Sequence, residues 1–163
     1  MTVSKIKSSA SRRFLNTMTT DSPLWALMNK GIPTMSTAYN AEVTSETYVA
    51  EDNASNSVDS YAPNSSITQT AFKNDSVFEF VDNLRKTRAI QKDAETEILD
   101  VYVYDEDNTG VFVAEKNNVV ISIDTWDLNG GQAISIGYTI SFNGDPEMGT
   151  ATIVDGKPVF TKA

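Results

Sequence analysis

A chain of 163 residues with 40% hydrophobic content is long enough for one ordinary domain with its own core. It contains no cysteine and no histidine, which excludes disulfide scaffolds, thiolate or imidazole metal sites, cysteine nucleophiles and histidine-dependent triads. Thirteen Lys and Arg against 22 Asp and Glu give a net charge of −9, the wrong sign for wrapping nucleic acid on a broad basic face.

The charge is unevenly spread. Residues 1–40 hold Lys5, Lys7, Arg12, Arg13 and Lys30 against Asp21 alone, a net of +4 that leaves −13 on the remainder. A basic arm on an acidic body serves either as a tail for an external polyanion or as a strap on the acidic body of a neighbouring copy. The first twenty residues lack the apolar stretch of a secretory signal; their basic, acid-free, Ser-rich composition is that of a mature arm or of an organelle transit peptide. No run of about 18 apolar residues occurs, so no membrane-spanning helix and no membrane partner are predicted.

In chain order, residues 1–13 show no sustained period and are predicted to form an arm that only packing would order. The run 21–29 offers a cap-like Asp21-Ser22, Pro23 for a first turn, and apolar Leu24, Trp25, Leu27 and Met28, which predicts a short helix or turn closed by Gly31 and Pro33. Residues 1–33 therefore read as a basic arm with a short helical segment, and residues 34–163 as a single β domain. Residues 34–50 are rich in Thr, Val and Tyr and predict strand with a bulge. Residues 51–66 are dense in Asn, Ser and Asp and predict a long loop, a candidate partner surface.

A strand over 66–73 leads to the one clear helix, about residues 75–90. Asp75 and Glu79 open it, Arg85, Lys86 and Arg88 close it, and Val77, Phe80, Val81 and Leu84 make one apolar stripe. Strands are then predicted over 97–104, 110–115, 118–126, 132–143, 148–154 and 157–161. Turn residues separate them at Asn108-Thr109-Gly110, Asn129-Gly130-Gly131, Asn143-Gly144-Asp145-Pro146 and Asp155-Gly156. The fold class is mainly β, an antiparallel β-sandwich or barrel with one flanking α-helix.

Motifs for chemistry are sparse. Asp105-Glu106-Asp107-Asn108-Thr109-Gly110 starts like a calcium loop, but Lys116 stands where the bidentate carboxylate belongs, so an acidic hairpin end is the better description and no metal is predicted. Asn53-Ala54-Ser55, Asn64-Ser65-Ser66 and Asn74-Asp75-Ser76 match the glycosylation sequon and, without a secretory signal, mark polar segments only. No phosphate-cradling glycine loop or nucleophile elbow occurs. Paired carboxylates are too abundant to single out a hydrolase. Trp25, Trp126, Tyr39, Tyr61, Tyr102, Tyr104 and Tyr138 fit a core or an oligomer contact better than a sugar-stacking platform. No catalytic residue and no cofactor are predicted.

The run Tyr48-Val49-Ala50-Glu51-Asp52-Asn53-Ala54, then Tyr61-Ala62-Pro63, is similar to the acidic loop segment of tail tube (major tail) proteins of siphophage-type long-tailed bacteriophages of Gram-positive hosts. The closing runs Ile140-Ser141-Phe142-Asn143-Gly144-Asp145-Pro146, Gly149-Thr150-Ala151 and Gly156-Lys157-Pro158-Val159-Phe160 resemble the same family's last hairpins. The likeness spans most of the chain and rests on the order of short motifs. It implies a non-enzymatic virion protein, made in the host cytoplasm, whose hexameric rings stack into a hollow tail tube. Genomic DNA would pass through the lumen without specific binding, and tape measure, terminator and baseplate proteins would be partners. It further implies inter-subunit contacts through Lys5, Lys7, Arg12, Arg13, Glu51, Asp52, Asn53 and Tyr61. A carbohydrate- or protein-binding β-sandwich module, a carboxylate-based hydrolase, and a related tail terminator or baseplate-hub component are the rival readings.

Overall fold

The computed structural model describes residues 1–18 and 22–163. Its frame is one eight-stranded antiparallel sheet in the order β2-β1-β7-β8-β9-β6-β3, with β10 also paired to β9. The strands are β1 (Ser11–Asn16), β2 (Trp25–Leu27), β3 (Ser36–Ala38), β6 (Asn64–Thr70), β7 (Glu95–Asn108), β8 (Val111–Asp127), β9 (Ser135–Val154) and β10 (Lys157–Lys162). A separate two-stranded sheet joins β4 (Glu42–Glu46) to β5 (Ser55–Ser60). The helix α1 spans Ser76–Thr87, as its stripe predicts, with Asp75 at the N-cap and Arg88 in the left-handed conformation at the C-cap.

Strands β8 and β9, 17 and 20 residues long, run the full length of the sheet. The first half of β9 pairs with β6 and its second half with β10, while β8 stays beside it throughout. Because neighbouring side chains alternate across a strand, the two faces build two cores. One face carries Leu15, Ile98, Val119, Ile121, Tyr138 and Ile140 under Val77, Val81 and Leu84 of α1. Toward the other end, the opposite face carries Phe14, Leu99, Val101, Ala114 and Ala151 with Trp25, Phe112 and Phe160, where the sheet curls until β2 and β10 approach each other.

Several sequence expectations are corrected. The run around Trp25 is not a helix: it pairs with β1 in the register Phe14↔Leu27 and Asn16↔Trp25, its apolar residues being needed on the sheet. Asp21 lies outside the described residues. Strands β1 and β2 are part of the sheet, and a 3-10 turn over Ser8–Ala10 leads into β1. Asn143-Gly144-Asp145-Pro146 does not reverse the chain. The β8 pairing slips there, between Lys116↔Glu147 and Asn118↔Asn143, and Gly144 at φ 69° absorbs the extra residues as a bulge within one strand.

The polar stretch 51–66 is likewise not a loop. Residues 55–60 pair with 42–46, and β6 has begun by Asn64. Alternation reports a strand only when one face is buried, and every residue of β4 and β5 is exposed.

Candidate functional site

The arm is rooted at Arg13. Its neighbours Phe14 and Leu15 are buried in the two cores, which pins β1 and turns the Arg13 side chain onto the helix-side face. There the guanidinium donates to both carboxylate oxygens of Asp100, through Nε at 2.7 Å and Nη2 at 3.1 Å, and Nη2 also donates to Thr37 Oγ1 at 3.1 Å. The fork geometry suits a bidentate carboxylate pair. The cation also lies 5.4 Å from the centre of the Phe142 ring. Burial pushes the Asp100 carboxyl above its ordinary value, and the guanidinium's hydrogen bonds and charge pull it back. Burial, then the charges of Asp100 and Glu115, also raise the Tyr102 hydroxyl, which donates to Glu115 at 3.0 Å. The cluster fastens the root of the arm to β3, where the distal hairpin begins.

That hairpin runs from about residue 39 to 61 and is exposed at every position. Its base is closed by Asn40 Nδ2 donating to Ala62 O and by an edge-on Tyr39–Tyr61 contact with ring centres 6.4 Å apart. Val43 faces Val58 across the ladder, and Tyr48 and Val49 stand at the tip, Val49 almost fully exposed. The opposite face holds Glu42, Thr44 and Glu46 with Ser57 and Asp59, and Thr44 donates to the Asp59 carboxylate. Isolated two-stranded hairpins are marginal in water, and no described residue of the same chain covers this one.

A third surface is the uncovered face of the β6-β9-β8 region. Ser66, Thr68, Ser122, Asp124, Thr139 and Ser141 project from it, because their strand neighbours Ile67, Ile121, Tyr138 and Ile140 point to the helix side. Thr139 Oγ1 donates to Asp124 at 2.7 Å. Where this face passes the bulge, Lys116 Nζ sits 3.4 Å from Glu97 and 3.0 Å from Glu147, and Lys162 lies 3.1 Å from Glu147. Those two lysines hold the Glu147 carboxyl below its ordinary value. Among the described residues no three acidic side chains converge as a metal site, and no helix is long and apolar enough to cross a membrane.

No family model and no curated protein matches this sequence. Solved structures do. A chain in the tail of an empty GTA particle, refined helically with C6 symmetry, is 12% identical, matches over 87% of this chain and 97% of its own, and superposes with a TM-score of 0.61. In fold, the chain is similar to phage tail-tube structures. The tube-terminating cap of the anti-feeding prophage is also similar, at 12% identity, 100% and 95% coverage and a TM-score of 0.51.

Within this fold the sequence-predicted contact residues fall into two groups and one exception. Lys5 and Lys7 stand on the arm, exposed, and Arg12 is half-buried where the arm enters the sheet. Glu51, Asp52 and Asn53 follow the exposed tip of the hairpin, and Tyr61 is at its base. Arg13 is the exception. Its guanidinium is committed to Asp100 of its own chain, because its position in β1 points it inward. Asp100, Thr37, Val43 and Val58 went unassigned in the sequence. The Arg13 pair joins residues 87 apart and leaves no local signal, whereas the absence of any Lys or Arg over residues 31–72 was there to be counted.

Proposed function

We propose that this chain is a structural subunit of a phage-type tail tube, a non-enzymatic virion protein that assembles into hexameric rings stacked around a channel. The observation that carries this reading is a fold similar to phage tail-tube structures whose arm and hairpin are exposed, with no described residue of their own chain covering them. Six copies would agree with the C6 symmetry of the GTA tail. The hydroxyl-rich face of β6, β9 and β8, with Asp124, Glu97 and Glu147 against Lys116, is assigned to the channel wall. Such a surface stays wet and repels phosphates, so that DNA passes without being held. The helix then lies away from the channel, over the core it seals.

Lys5, Lys7 and Arg12 on one side and the hairpin carrying Glu51, Asp52, Asn53 and Tyr61 on the other are the contacts between copies. Tape measure, terminator and baseplate proteins complete the list of partners, and the protein would be made in the host cytoplasm. The resemblance around Tyr48-Val49-Ala50-Glu51-Asp52-Asn53 supports a siphophage origin with a Gram-positive host. Similarity to a tube-terminating cap over the whole chain favours one second reading, a cap or terminator ring. Sedimentation velocity across a concentration series tests both. Tube growth gives species that lengthen with concentration, a cap stops at one ring, and a monomer at every concentration contradicts both.

A further inference from the structure

We infer that residues 4–7 of one copy add as a third strand to the open edge of β4 in a second copy, so that the arm and the hairpin are each other's partners. The inference rests on the self-assembly proposed above and names its contact. Three observations lead to it. First, the two elements are complementary in charge and neither is neutralised at home. Residues 1–20 carry Lys5, Lys7, Arg12 and Arg13 with no acid, and residues 31–72 carry Glu42, Glu46, Glu51, Asp52 and Asp59 with no base. Among the described residues, none of these charges except Arg13 forms an ion pair in its own chain.

Second, the hairpin has the backbone to receive a strand. In a two-stranded sheet each strand bonds its partner on one side only, which leaves a row of donors and acceptors along the outer edge of β4. An extended segment laid there gains main-chain bonds whatever its sequence. Third, the side chains sort by face. On β4 the acidic face holds Glu42, Thr44 and Glu46, and the other face holds Val43 beside Val58. In an extended segment 4–7, Lys5 and Lys7 share one face and Ile6 takes the other. One register therefore places both lysines among Glu42 and Glu46 and sets Ile6, itself 64% exposed, against the Val43–Val58 pair. Residues 8–10 form a 3-10 turn, and the seven residues before it reach about 23 Å when extended, enough to leave one subunit for an adjoining one. Joining an arm on one copy to a hairpin on another is a head-to-tail contact, which closes into rings or propagates as a filament.

The test uses the full chain. Equal amounts of 14N- and 15N-labelled protein are mixed, treated with a zero-length carbodiimide that joins amines to carboxylates, and analysed by mass spectrometry. The expected products are mixed-isotope links from Lys5 or Lys7 to Glu42 or Glu46. In parallel, K5E/K7E and E42K/E46K are assembled alone and together. Each alone raises the concentration needed for assembly roughly tenfold or more, an equimolar mixture of the two recovers part of the loss, and one chain carrying all four reversals recovers most of it. All four side-chain positions concerned are exposed, so circular dichroism of each variant should match the parent. Links found only within one isotope, or links from these lysines to other carboxylates, overturn the pairing. So do charge reversals without effect on an assembling parent, which leave the tail-tube reading intact. A parent that never self-associates and gives no mixed-isotope link overturns both.

Discussion

Replacing Arg13 by Met tests how the arm is anchored. The substitution removes three hydrogen bonds and leaves the Asp100 carboxylate 8% exposed, facing Glu115 rather than a cation. Breaking one side of a buried pair costs about 3–5 kcal/mol, because the remaining charge keeps its desolvation penalty and loses its compensation. For a domain of this size each kcal/mol moves Tm by about 2–4 °C, so R13M should melt about 6–20 °C below the parent by circular dichroism. The double variant R13M/D100L, which removes both charges, should recover most of that loss. The pH dependence has a definite sign. Without Arg13 the folded-state pKa of Asp100 rises further above its unfolded value. The deficit is then full above the folded pKa and shrinks as pH falls through it, and its Asp100 part is gone below the unfolded value near ~3.9, leaving the Thr37 hydrogen bond as the residual loss. An R13M deficit under about 1 kcal/mol at neutral pH, or one that grows on acidification, would refute the assignment.

Three further outcomes follow from the same contacts. Deleting residues 1–7 should leave Tm unchanged while weakening assembly, whereas deleting 1–13 should also cost the several kcal/mol of the Arg13 anchor; equal melting of the two truncations contradicts the placement of β1. Tyr138→Phe removes the hydroxyl that donates to buried Gln69 Oε1 at 2.9 Å, while Gln69 Nε2 holds Asp75 and Lys30 O. With that acceptor unmet, urea denaturation should show a loss of about 1–3 kcal/mol, and no loss would mean that water reaches the site. Gly149→Ala would drive a methyl into Thr161 O and within 2.9 Å of the Phe160 ring. It should lower stability by about 1–3 kcal/mol and raise hydrogen exchange in β10 first; unchanged exchange there contradicts the packing of β10 on β9.

The legible parts of the fold were those with a buried face. The stripe Val77, Phe80, Val81 and Leu84 located α1, and alternation located β6 and most of β7 to β10. Turn chemistry misled at Asn143-Gly144-Asp145-Pro146, since the same glycine that ends a strand also permits a bulge within one. The hairpin escaped because β4 and β5 bury neither face. Its strands are specified by backbone pairing, and no described residue covers either face. The helix expected at 21–29 failed for a related reason. Asp21-Ser22 and Pro23 are good starting signals, but Trp25 and Leu27 are buried better beside β1, and tertiary packing overrode local preference. Of the candidate contact residues, the grouping into a basic arm and an acidic segment was visible in composition. The inward turn of Arg13 was not, because its partner is chosen by the β1–β7 register.

Cryo-electron microscopy of the purified protein at high concentration bears most directly on the tail-tube assignment. Stacked six-fold rings with a central hole are expected, lined by Ser66, Thr68, Ser122, Asp124 and Thr139, with α1 on the outside. A strictly monomeric particle, or a ring whose channel is lined by α1, would contradict it.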